Sequence, residues 1–171
     1  IGYFAGENLT TGNTNVFIGE YAGRSLTSGD NNLFLGSYAG SNFTSGNNNV
    51  FDQDISSWDV SNVTNMEGLF YSVGHLNTDI SNWDVSNVTD MAGMFYNVGN
   101  FNQDINNWDV SNVTNMYRMF SSARSFNKDI SSWDVSSVTV MGSMFRDATS
   151  FNQDVNNWDV SNVTNMSQMF N

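Results

Sequence analysis

Hydrophobic and polar residues recur along this chain at two fixed periods. From residue 51 onward the period is 25, and its marker is Trp-Asp-Val-Ser-Asn-Val-Thr. The marker begins at Trp58, Trp83, Trp108 and Trp158, and a fourth-unit variant with Ser137 in place of Asn begins at Trp133. Within a unit the apolar positions follow two rhythms. Ile55, Trp58 and Val60 are interleaved with Ser57, Asp59 and Ser61, which predicts a strand. Val63, Met66, Leu69, Phe70 and Val73 step by three and four, which predicts one face of a short helix. Thr64 or Asn65 stands where that helix needs an N-cap, and Thr recurs there as Thr89, Thr114, Thr139 and Thr164. Ser72-Val73-Gly74 and Asn97-Val98-Gly99 then break the helix. A strict period of this length predicts a repeat solenoid, each unit stacking on the next.

The first 51 residues run instead at a period of 17, in units beginning at Ile1, Ile18 and Leu35. Glycine recurs at Gly2, Gly19 and Gly36, and again at Gly12, Gly29 and Gly46. Apolar residues recur at Val16, Leu33 and Val50 and at Phe17, Phe34 and Phe51. Thr-Ser-Gly-Asn is turn chemistry, and Asn-Val-Phe-Ile-Gly reads as a short strand between turns. The Ala-Gly pairs, as at Ala22-Gly23, mark places where only small side chains fit. The expected fold class is therefore an N-terminal β-solenoid of period 17 running into a leucine-rich-repeat-like α/β solenoid of period 25. Residues 1–50 and 51–171 are the expected segments. Phe51 closes one array and opens the other, with Leu76, Phe101, Phe126 and Phe151 as its counterparts, so one continuous core is expected there.

The consensus Phe-Asn-x-Asp-Ile-x-x-Trp-Asp-Val-Ser-Asn-Val-Thr-Asn-Met-x-x-Met-Phe resembles the BspA-like leucine-rich repeat family of bacterial surface proteins. The Ile-x-x-Trp-x-Val frame stands where that repeat has leucines, and Val63 and its equivalents replace the usual Asn. The resemblance implies a secreted or surface-anchored protein linked with adhesion. The Ile-Gly-x-x-Ala-Gly units resemble repeats of phage tail-fibre shafts and trimeric autotransporter-like adhesins. That resemblance implies three chains about one axis, against the alternative of a monomeric cap.

Composition narrows the function. Charged residues are 13 % of the chain, but aromatics reach 14 % at regular spacing, which points to a folded rather than a disordered chain. The net charge of −12 leaves no cationic patch for phosphate, so nucleic acid is not an expected partner. There is no Cys, so burial rather than disulfides must hold the fold. No apolar run approaches roughly 18 residues, so no membrane span is expected. Ile1 lies inside a repeat and Asn171 stops in mid-unit, so the chain is expected to continue into a longer protein or to be covered by another subunit.

Stacking turns each offset into a column of like residues. The Trp column needs buried acceptors for its indole N–H groups; Asp54, Asp79, Asp104, Asp129, Asp154 and backbone carbonyls are the candidates. Asp59, Asp84, Asp109, Asp134 and Asp159 form an outward acidic ladder, whose repulsion is expected to raise some pKa values or recruit Ca²⁺. The competing reading is a solvated face. No calcium-loop motif is present. Ser57, Asn82, Asn107, Ser132 and Asn157 flank the ladder on one side, and Ser61, Ser86, Ser111, Ser136 and Ser161 on the other. This flat polar face is a candidate surface for a glycan or a protein partner, reached through many weak repeated contacts. The Met column from Met66 to Met166 reads as core. The Thr column also suggests ice binding, but capping explains it better.

Catalysis needs unlike groups converging on one point, and columns of identical residues do not supply them. The single His, His75, sits at a turn. Arg118, Arg124, Lys128 and Arg146 add charge in the third and fourth units, as drift or as a partner patch. The expected function is a non-catalytic scaffold with no cofactor: part of an extracellular, cell-surface, virion or appendage protein serving adhesion or fibre assembly. Self-association into a homo-oligomer, trimer or filament is the expected partnership. The alternative is a ligand-binding module for a glycan, a host-surface protein or Ca²⁺ on the acidic face.

Overall fold

The computed structural model describes residues 2–13, 15–18, 20–29, 33–35, 50–51, 55–73, 75–76 and 78–170, with backbone alone for 33–35, 50–51 and 75. The chain forms two compact units, Ile1–Asp54 with Ser72–Thr78, and Ile55–Tyr71 with Asp79–Asn171.

In the first unit, strands β1 (Val16–Ile18) and β2 (Leu33–Leu35) pair in parallel, with Val16 opposite Leu33. Strands β3 (Val50–Phe51) and β4 (His75–Leu76) pair likewise, with Val50 opposite His75. Leu9 and Phe17 pack on buried Ala22 and Leu26. The small residues have a visible cause. A Cβ on Gly6 would sit 2.6 Å from the Phe17 ring, and one on Gly12 would strike the Gly29 carbonyl. The side chain of Phe51, and with it the shared core expected there, lies outside the described residues.

The solenoid fold class expected from the sequence is not what the structure shows. Among the described residues there is no helix, and strand is confined to those four short segments; the rest is turns and irregular backbone. The segment expected to be helical explains why. In residues 91–98 the amides of Met94, Tyr96 and Val98 each bond the carbonyl three residues back, closing successive tight turns. The alternate amides of Met91, Gly93, Phe95 and Asn97 donate instead to Asn115, Tyr117, Met119 and Ser121 of the following repeat, at 2.8–3.0 Å. Positive φ at Gly93 (61°) and Asn97 (56°) is what a type II turn demands at its third residue. Each amide has one proton to give, and half of them give it to the neighbouring repeat. No ladder of bonds four residues back is left to make a helix.

The same alternation recurs at Met66, Gly68 and Phe70 and at Met116, Arg118, Phe120 and Ser122. Isolated parallel bridges link Asn65, Asp90, Asn115, Val140 and Asn165 in succession. The apolar pattern is nonetheless buried. Ile80, Trp83, Val85, Val88, Met91, Met94, Phe95 and Val98 of one repeat are all shielded from solvent. Rings stack between repeats: Phe70, Phe95, Phe120, Phe145 and Phe170 form a column with centroids 5.4–5.6 Å apart.

Candidate functional site

The columns that sequence reasoning singled out are where their polar atoms can be followed. Trp83, Trp108, Trp133 and Trp158 are buried, and Trp58 is 41 % exposed. Each buried indole donates to the backbone carbonyl of Ile55, Ile80, Ile105 or Ile130, 28 residues earlier, at 3.0–3.2 Å. The carbonyl alternative is the one realised. Asp79, Asp104, Asp129 and Asp154 instead accept the backbone N–H two residues on, and Asp54 lies outside the described residues.

The acidic ladder is exposed, on irregular backbone rather than on a strand. Its Oδ1 atoms are already in use. Asp59, Asp84 and Asp109 each accept both the hydroxyl (2.6 Å) and the amide (3.1 Å) of Ser61, Ser86 and Ser111. Asp134 and Asp159 accept the amides of Ser136 and Ser161 at 3.0 Å. At four of the five aspartates these bonds reverse the expected titration. The Ser61, Ser86 and Ser136 hydroxyls, then their amides, hold Asp59, Asp84 and Asp134 below the ordinary aspartate value. At Asp159 the Ser161 amide leads and the hydroxyl follows. Repulsion along the ladder does act, from Asp59 on Asp84 and from Asp134 on Asp159, but it is outweighed. Hydrogen bonds to the charged form win because they are short, whereas like charges facing water are screened.

Two of the five residues on one flank are similarly engaged. Asn107 Nδ2 donates to the Ser81 carbonyl at 3.3 Å, and Ser132 Oγ donates to Asn106 O and Oδ1. Ser57, Asn82 and Asn157 are exposed beside the ladder. The Thr column does not cap helices. Thr89, Thr114, Thr139 and Thr164 each donate their Oγ1 to the carbonyl of the preceding Thr at 3.1 Å. One residue later, Asn65, Asp90, Asn115 and Asn165 accept the amide two residues ahead and close Asx turns, not helix caps. Among the described residues no group of three or more His, Cys, Asp or Glu side chains is placed to hold a metal ion.

Sequence reasoning missed one feature. A cleft of about 180 Å³ opens where the columns cease to repeat. Its tyrosines, Tyr71, Tyr96 and Tyr117, come from two offsets, and Glu67 and Arg118 add opposite charges. The signal was present in the sequence: Glu67, Ala92 and Tyr117 share one offset and all differ.

No helix among the described residues is long and apolar enough to cross a membrane. No curated protein and no solved structure matches the chain. One family model does, described as a Mycoplasma protein of unknown function, DUF285, in two overlapping matches over residues 41–135 and 101–171. Those matches cover the whole run of 25-residue repeats and well over half of the sequence, and the chain accordingly belongs to the DUF285 family.

Proposed function

We propose that this chain is a non-catalytic scaffold, part of a surface or fibre protein that serves adhesion or filament assembly. One observation carries the reading. The exposed columns repeat with like residues, and their polar atoms are bonded within the protein, as in the Asp59–Ser61, Asp84–Ser86 and Asp109–Ser111 pairs. Acid–base chemistry between carboxylates needs partners whose environments push their pKa values apart, whereas four of these aspartates are all held low. A ladder of like carboxylates, each tied to its own serine, offers shape and charge repetition instead. Such a surface suits contact with a partner that is itself extended, where many weak contacts add.

The resemblance of the 25-residue units to bacterial surface repeats supports the same reading. On this reading the protein stands at a cell, virion or appendage surface. Sedimentation velocity of the purified chain over a wide concentration range, with negative-stain microscopy of the same samples, tests it. Concentration-dependent oligomers or filaments are expected. A monomer at every concentration removes self-assembly.

A further inference from the structure

The repeats are built from columns of like residues, so a place where unlike residues converge stands out. The cleft beside the turn ladder of the second unit is such a place. Tyr71 and Tyr96 stack at 4.6 Å with their planes 13° apart and form one wall. Gly68 and Gly93 contribute bare backbone to the lining, and a Cβ on Gly93 would stand 3.8 Å from the Tyr71 ring. Tyr117 enters from a different offset, with the Arg118 guanidinium 4.9 Å from its ring centroid. Glu67 supplies the opposite charge.

We propose that this cleft is a saccharide site that takes one neutral pyranose ring. Size comes first: about 180 Å³ is below the range of drug-sized pockets and suits a single ring. Surface chemistry comes second. A pyranose carries apolar C–H patches beside hydroxyls that both donate and accept. Tyrosine rings and glycine backbone meet the first, while a carboxylate and a guanidinium meet the second. Charge comes third. Glu67 and Arg118 oppose one another, so the lining carries no net charge to draw in a cationic or an anionic ligand. A neutral polar ring is left. Tyr71 is 57 % exposed, so the site can be reached from solvent without any opening motion.

The proposal goes beyond the scaffold reading, because it concerns one cleft rather than the repeated face. Saturation-transfer NMR of the intact chain with the methyl glycosides of glucose, galactose, mannose and N-acetylglucosamine tests it. At least one glycoside is expected to receive saturation at its ring C–H protons. Binding should weaken by about tenfold or more in Tyr96→Ala and in Arg118→Gly, the scale of one lost stacking or charged contact. Arg118 has positive φ, so its glycine variant is compatible with the fold and keeps the test meaningful if Tyr96→Ala is damaged. Asp109→Asn, on the acidic ladder, should bind as wild type does. No transfer to any glycoside overturns the proposal. So does transfer unchanged in both cleft variants. Self-association, read separately by sedimentation, is untouched by these outcomes.

Discussion

Gly93 and Arg118 hold the same offset in successive repeats and the same left-handed backbone, with φ of 61° and 56°. For a residue with a Cβ that conformation costs roughly 1–2 kcal/mol. The space around Gly93 admits a methyl group, its nearest neighbours being 3.8 and 3.9 Å away. Gly93→Ala is therefore expected to destabilise by about 1 kcal/mol through backbone strain alone, and Arg118→Gly to stabilise by a similar amount. Urea denaturation of the two variants checks both signs. The need for positive φ was hidden in the sequence, because Gly68 and Gly93 are followed at this offset by Arg118 and Ser143.

Four of the ladder carboxylates contribute to the acid limb of stability. Asp59, Asp84, Asp134 and Asp159 are held below their ordinary value in the fold. A lowered folded-state pKa contributes stability above the unfolded value, near pH 4, and loses it as pH falls further. The melting temperature should therefore hold between about pH 5 and 7 and fall below about pH 4. Asp84→Asn combined with Asp134→Asn should flatten that fall, since asparagine keeps an acceptor oxygen without titrating. Thermal melts across the pH range read this directly.

At the scale of the element, the turn ladder replaces the expected helix, and far-UV circular dichroism should lack the helical double minimum. Steps of three and four arise in a helix because 3.6 residues make a turn. Successive tight turns closed by bonds to the third residue back produce the same spacing, as at Met91, Met94, Phe95 and Val98. The periodicity therefore correctly marked the buried residues while leaving the backbone ambiguous. Burial makes quantitative demands. Phe120 is fully buried and stacks on Phe95, Phe126 and Phe145, so Phe120→Ala should cost about 3–5 kcal/mol. Met116→Ala should cost about 2–5 kcal/mol, whereas Met166→Ala, at a residue 40 % exposed, should cost far less. The contrast between two members of one column separates burial from residue type, and chemical denaturation measures it.

For the whole molecule, the charge balance and the ladder raise the question of calcium. Excess negative charge favours cation binding in general. Here each Oδ1 of Asp59, Asp84 and Asp109 already accepts a short bond from Ser61, Ser86 or Ser111, and a cation would compete with those bonds. The melting temperature is expected to be the same with EDTA as with millimolar calcium; a rise with calcium would place ions on the ladder. The candidate cleft was legible only as a loss of repetition, in Glu67, Ala92 and Tyr117. Nothing local in the sequence says that the Tyr71 and Tyr117 offsets face one opening.

The sequence by itself determined the period and the inside of the protein. Side-chain hydrophobicity belongs to the residue, and a strict repeat carries it from unit to unit; Ile80, Trp83, Val85 and Met91 are buried as their pattern demands. Only the tertiary structure decided where the backbone hydrogen bonds go. A bond to the residue four back and a bond to the next repeat are worth nearly the same. The choice between them depends on whether a neighbouring strip of backbone is in register to receive it. For Met91, Gly93, Phe95 and Asn97 that neighbour exists 24 residues ahead, and there the helix gives way to the ladder of turns.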